Sequence, residues 1–151
     1  MSNNKSAMKT IVLLFCLMAI CTLSLGQQVT QIEAAAIAKT EMLFTKGVNT
    51  DVSNIYSFDS NGYTLIYEVL LDNGFTVLVS GNKQCIPAIG RYAACGSGSV
   101  FDQTDIPCGL SYFLMSYKEQ IMYCFEHPSP NSMYSVEWSK MVNVVAPQYV
   151  A

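Results

Sequence analysis

Residues 63–92 read YTLIYEVLLDNGFTVLVSGNKQCIPAIGRY, and the pattern of this stretch decides the fold class. Two β-rich apolar runs, 63–71 and 75–80, flank Asp72-Asn73-Gly74, turn chemistry that favours a tight hairpin. In the first run Tyr63, Leu65, Tyr67, Val69 and Leu71 alternate onto one face, and Thr64, Ile66, Glu68 and Leu70 onto the other. The second face is mixed rather than polar, which predicts a strand lying centrally in its sheet. In the second run Phe75, Val77 and Val79 share one face, with Thr76, Leu78 and Ser80 on the reverse, and Gly81-Asn82-Lys83 ends it. Pro87 cannot donate a ladder hydrogen bond. The segment 86–92 is therefore an edge strand, or it begins irregularly at the proline.

Upstream, Ile55, Tyr56 and Phe58 form a short strand, and Asn61-Gly62 after it is a strong hairpin signal. Earlier still, Thr30-Gln31-Ile32-Glu33 is a capping-box pattern that predicts a helix to about Lys46, stopped by Gly47. Ile32, Ala36, Ile37, Leu43 and Phe44 are its expected apolar arc. Downstream, the glycines and serines of residues 94–101 read as a flexible surface loop. Leu110, Phe113, Leu114, Tyr117 and Ile121 predict a second helix from Cys108 to Phe125, with Pro107 suited to its start. His127-Pro128-Ser129-Pro130 breaks it. A short last helix is expected over 136–145, with Trp138, Met141, Val142 and Val145 on one side. The expectation is an α+β domain: an antiparallel sheet of about four strands packed with an N-terminal helix and a longer C-terminal helix.

Composition narrows the class. Lys5 and Lys9 precede an apolar run from Ile11, and Ser24-Leu25-Gly26 supplies small residues before Gln27. That is the form of a secretory signal peptide over 1–26, with a core too short for a confident membrane span. A retained membrane anchor is the alternative. Cleavage leaves roughly 125 residues, enough for one domain with a core: a domain over 27–126 and a tail over 127–151 with a short helix. The expected location is secreted or periplasmic, without membrane attachment after cleavage. A net charge of -3 and six basic residues beyond Lys9, unclustered, argue against nucleic acid.

Removal of residues 1–26 takes away Cys16 and Cys21 and leaves Cys85, Cys95, Cys108 and Cys124 as candidate disulfide cysteines, with three connectivities open. Four packed thiols are the competing reading. Catalytic chemistry finds little. The single histidine, His127, follows Cys124 by three residues but sits in a helix-ending turn, a weak nucleophile–base pair. The cysteine intervals lack a close pair, so no metal is expected. Gly96-Ser97-Gly98 lacks the third glycine and the βαβ setting of a nucleotide fingerprint, and no cofactor is expected. Asp102 with Asp105, and Glu119 with Glu126, are ordinary surface carboxylates by the same reasoning.

One resemblance adds to this. Gly74-Phe75, Val77, Val79-Ser80, Pro87, Ile89 and Tyr92 resemble the G-G-F-V-I-V-S-x-D-x-R-x-P-x-I-L-G-Y signature in the prodomain of streptopain-type cysteine peptidases. Ser97-Gly98-Ser99 and Phe101-Asp102 resemble that family's S-G-S-F-D, with Val100 inserted, and 116–121 (SYKEQI) its S-Y-x-E-Q-I helix. The resemblance spans Thr30 to Phe125. Three departures stand out: Asn82 replaces the signature Asp, Gln84 the Arg, and Gly90-Arg91-Tyr92 follows Ile89 in place of Leu-Gly-Tyr. The asparagine that in the family disturbs the catalytic histidine has no counterpart before the second helix.

A prodomain without a following catalytic domain is similar to the Spi family of protease inhibitors. The resemblance implies a non-enzymatic inhibitor, or folding partner, of a streptopain-like cysteine protease, blocking its active-site cleft. The protease-contacting loop it implies is Gly96, Ser97, Gly98, Ser99, Val100, Phe101, Asp102 and Gln103, with Phe101 as apolar anchor and Asp102 as polar contact. Cys95 and Cys108 bracket this loop and would pin it if paired. The alternatives are an exported α+β scaffold or ligand-binding domain, since fold does not fix function, and the remnant of a truncated zymogen.

Overall fold

The chain is described from a computed structural model that covers residues 8–9, 27–93, 98–103 and 106–144. The signal-peptide reading therefore falls almost wholly outside the described residues, as do Cys95, Gly96, Ser97, Asp105, Val145 and the end of the chain.

Helix α1 (Gln31–Lys46) begins at the expected capping box: the Glu33 N–H donates to the Thr30 hydroxyl and the Thr30 N–H to the Glu33 carboxylate. Gly47 closes it with φ 66°, its N–H donating to the Leu43 carbonyl. The buried side is rotated from the expected arc: Ile37 is buried as expected and Ala36 and Leu43 are half-buried, but the two ends of the arc are not. Ala34, Ile37, Ala38 and Met42 face the sheet, while Ile32 is 83% and Phe44 63% exposed. Ala34, Ala38 and Met42 recur at four-residue spacing along one side, and Ile32 lies nearly opposite. Small alanines let the helix approach the sheet closely, and that preference overrides the larger side chains.

Four antiparallel strands follow in the order β1 (Val52–Ser60), β2 (Tyr63–Leu71), β3 (Phe75–Ser80) and β4 (Ala88–Ala93). Strand β1 is longer than the sequence indicated. Asn61 and Gly62, with φ of 52° and 80°, make the two-residue turn between Ser60 and Tyr63. Gly74, at φ 81°, donates to the Leu71 carbonyl in the next hairpin. β4 is an edge strand that also begins just past Pro87, whose carbonyl accepts from the Ser80 N–H at 3.0 Å. Both consequences expected of that proline are realised.

Strand β2 is central and covered on both faces. Tyr67, Val69 and Leu71 join Val77 and Val79 beneath α1. Ile66 joins Leu78, Ile89 and Val100 beneath α2 (Cys108–Glu126), which contributes Leu114, Ile121 and Phe125. Tyr63 and Leu65 depart from strict alternation and belong to this second cluster, Tyr63 stacking on Phe125 at 4.4 Å. Phe58 and Asp59 pair with Ile66 and Thr64, which leaves Leu65 as the extra residue of a bulge on β2, and such irregularities increase local twist and re-aim side chains. Helix α3 (Ser135–Asn143) inserts Trp138 into the first cluster, and the Thr40 hydroxyl donates to the Met141 carbonyl at 2.7 Å. The packed body thus extends past residue 126. No helix among the described residues is long and apolar enough to cross a membrane.

The connector after β3 is held by backbone contact. The Gly81 N–H donates to the Leu65 carbonyl, and its own carbonyl accepts from the Val29 N–H, each at 2.8 Å. A Cβ at Gly81 would lie 1.8 Å from the Thr64 carbonyl oxygen. Backbone has to move to admit it, so Gly81→Ala is expected to cost about 3 kcal/mol or more, read as a lowered urea midpoint.

Two carboxylates give the domain acid sensitivity. Burial pushes Glu33 upward, but the Lys83 ammonium at 2.7 Å and the Thr30 donors outweigh it and hold its pKa below the ordinary 4.5. The Thr50 hydroxyl and the Asp51 N–H hold Asp72 below 3.8. Both groups bind protons more weakly when folded. Their stabilisation is complete above these ordinary values and is lost as pH falls through the lowered ones. The double variant Glu33→Gln/Asp72→Asn should show a flatter decline of urea midpoint between pH 5 and pH 3, these limits set about one unit around the ordinary carboxylate range.

Candidate functional site

Strand β2 carries one carboxylate in an otherwise apolar and hydroxylic run, and that residue organises the site. Glu68 is 1% exposed. It pairs with Tyr56 on β1 and Leu78 on β3, and its side chain reaches the end of the loop that follows β4. Its two oxygens accept from the Tyr92 hydroxyl of β4, from the Ser99 hydroxyl, and from the Val100 N–H at 3.0 Å. A buried acceptor left without donors is expensive, so this carboxylate dictates where the loop must lie.

Ser99 also accepts from the Phe101 N–H at 3.1 Å, which starts a single 3-10 turn over Val100–Asp102. The Gln103 N–H closes the turn on the Val100 carbonyl. The flexible surface loop expected over 94–101 is corrected for its described end: Ser99 and Val100 are buried, the one on Glu68 and the other in the second apolar cluster. Gly98, Asp102 and Gln103 are exposed and Phe101 is half-buried.

Phe101 is fixed from two sides. Its ring lies 5.3 Å from that of Phe58, and the Lys118 ammonium stands 3.3 Å from the Phe58 ring centroid and 5.2 Å from that of Phe101. Burial lowers the pKa of Lys118 from its ordinary value. The loop motif around Phe101 and the helix motif around Lys118, far apart in sequence, thus meet over β1. Together Phe101, Asp102 and Gln103 form a short presented edge on a rigid base.

The remaining candidates fall elsewhere. Cys85, in the β3–β4 connector, and Cys124, on α2, stand with their sulfurs 3.4 Å apart, while Cys108 is exposed at the start of α2. The His127 Nδ1 lies 3.1 Å from the Tyr123 carbonyl, and its ring stacks on Tyr123 at 4.1 Å. Among the described residues no group of three His, Cys, Asp or Glu side chains could hold a metal ion. Glu68 was visible in the sequence only as the odd member of a mixed strand face. The signal available was a lone carboxylate in a nine-residue apolar strand, which demands donors from somewhere. Compared with protein-family models, with curated proteins and with solved structures, the chain matches none.

Removing the Glu68 carboxylate orphans the Tyr92 and Ser99 hydroxyls and the Val100 N–H together. Glu68→Ala is expected to cost about 3 kcal/mol in urea unfolding, and Glu68→Gln, which keeps one acceptor oxygen, less. Amide exchange at Val100 should accelerate in both variants, more than at the centre of α2.

Proposed function

We propose that this protein is an exported, non-enzymatic inhibitor of a streptopain-like cysteine protease, or the prodomain-like folding partner of one. The observation that carries the reading is the loop edge pinned by Glu68. Phe101 is half-buried against Phe58 and Lys118, and Asp102 and Gln103 are exposed on a closed turn. A segment already ordered in the free protein loses little conformational entropy when it enters a cleft, and that saving becomes affinity. The geometry also joins the segments that carry the family resemblance. The hairpin of β2 and β3, the turn at 99–103 and the 116–121 stretch of α2 all contribute to the second apolar cluster, through Ile66 and Leu78, Val100 and Phe101, and Tyr117 and Ile121, while Val77 and Val79 of the hairpin pack on the other face beneath α1.

In this reading the loop occupies the cleft while β4 and α2 flank it. Phe101 supplies the apolar contact and Asp102 the polar one, and no group of this chain does chemistry. The test is to mix the domain with a streptopain-like cysteine protease and follow peptide hydrolysis. Inhibition at micromolar concentrations or below is expected, with Phe101→Ala and Asp102→Ala each weakening it about tenfold or more. Absence of both inhibition and complex formation at micromolar concentrations overturns the reading.

A further inference from the structure

Cys85 and Cys124 are distant in sequence but held face to face. Their sulfurs stand 3.4 Å apart across a separation of 39 residues, with the Cys85 thiol donating to Cys124. The backbone of Cys85 is fixed on both sides. Its N–H donates to the Asn82 carbonyl at 3.1 Å, and its carbonyl accepts from the Trp138 indole at 2.9 Å. Cys124 is fixed by its helix, whose neighbouring residues Ile121 and Phe125 are buried in the second cluster. Closing to the bonded distance of about 2.05 Å needs a shift on the order of 1 Å.

The fold also removes a competing connectivity. Cys108 and Cys124 lie at the two ends of one continuous helix. At 1.5 Å per residue they are roughly 24 Å apart, far beyond disulfide reach. The pair at 3.4 Å, by contrast, is open to a reagent. A cleft of about 500 Å³ lies over it, lined by Cys85, Ile86, Tyr117, Ile121, Cys124 and Tyr134.

We infer that Cys85 and Cys124 form a disulfide that staples α2 to the β3–β4 connector, made by exchange with a small-molecule or protein disulfide. The Cys124 thiolate attacks one sulfur of the incoming disulfide, breaks its S–S bond and expels one thiolate. Cys85 then gives its proton to that thiolate and attacks the Cys124 sulfur, expelling the second, which takes up the proton Cys124 lost. Two cysteine thiols lose two electrons and two protons, and one disulfide becomes two thiols. The order of attack follows from the surroundings of Cys85. Burial, and next the hydrogen bond to Cys124, push its thiol up to about 12, so it is the later nucleophile. The staple does not rest on the protease-inhibitor reading.

Trypsin separates the possibilities without any variant. Cleavage after Lys83, Arg91, Lys118 and Lys140 places Cys85 in peptide 84–91, Cys95 and Cys108 together in 92–118, and Cys124 in 119–140. After equilibration of the purified protein with oxidised glutathione and alkylation of free thiols, non-reducing mass mapping should find 84–91 joined to 119–140. Either peptide joined instead to 92–118, or both recovered alkylated, overturns the inference. As a second measurement, the Cys95→Ser/Cys108→Ser variant should melt about 10 °C higher oxidised than reduced, because a loop of this length is removed from the unfolded ensemble. An unchanged melting temperature counts against the staple with equal force.

Discussion

A carboxylate buried in the middle of a sheet has to be met by donors, and that requirement sets the path of the chain after β4. Glu68 lies on the central strand, with β1 and β3 on either side, so no water-exposed edge is within its reach. Its donors come from the edge strand, through Tyr92, and from the loop beyond, through Ser99 and Val100. Satisfying one side chain therefore folds the chain back over the sheet after β4. Val100 is carried into the apolar cluster by the same turn, so polar satisfaction and apolar burial act together rather than in competition.

Burial of β2 on both faces imposes a second requirement: each face needs its own helix. The first is served by α1 through alanines, which permits close approach, with Trp138 of α3 filling the space beside it. The second is served by α2 through Leu114, Ile121 and Phe125. The connector at Gly81 is where these two layers are coupled. It sits against the β2 backbone, receives the N-terminal strand-like residues through Val29, and leads to Cys85, whose carbonyl accepts from the Trp138 indole. A glycine is demanded there by backbone proximity, not by a left-handed turn.

The sheet and its helices were legible in the sequence because turn chemistry and period are local signals. Asn61-Gly62, Asp72-Asn73-Gly74 and the Thr30–Glu33 box each specify their own geometry. What was not legible was rotation and distance. The buried side of α1 depends on how near the helix comes to the sheet, which favours Ala34 and Ala38 over Ile32 and Phe44. The site was only half visible: the segment around Phe101 stood out by composition, but that Ser99 and Val100 point inward follows from Glu68, more than thirty residues earlier in the chain. The juxtaposition of Cys85 and Cys124 is likewise a product of tertiary packing and has no signature in the spacing of the cysteines.

These arrangements converge on α2. Near its middle, Lys118 covers Phe58 and Phe101, so the helix is fastened to the turn that follows β4. Two helical turns further on, Cys124 meets the connector that precedes β4. The edge strand is thus bracketed: the chain entering it and the chain leaving it are both held by the same helix. Among the described residues β4 has a strand neighbour on one side only, β3. A helix gripping both of its ends supplies the constraint that a neighbouring strand would otherwise give. Asp102 and Gln103 are exposed at the end of the turn whose Phe101 is held between Phe58 and Lys118, so the helix that covers this face of the sheet also sets where the turn lies.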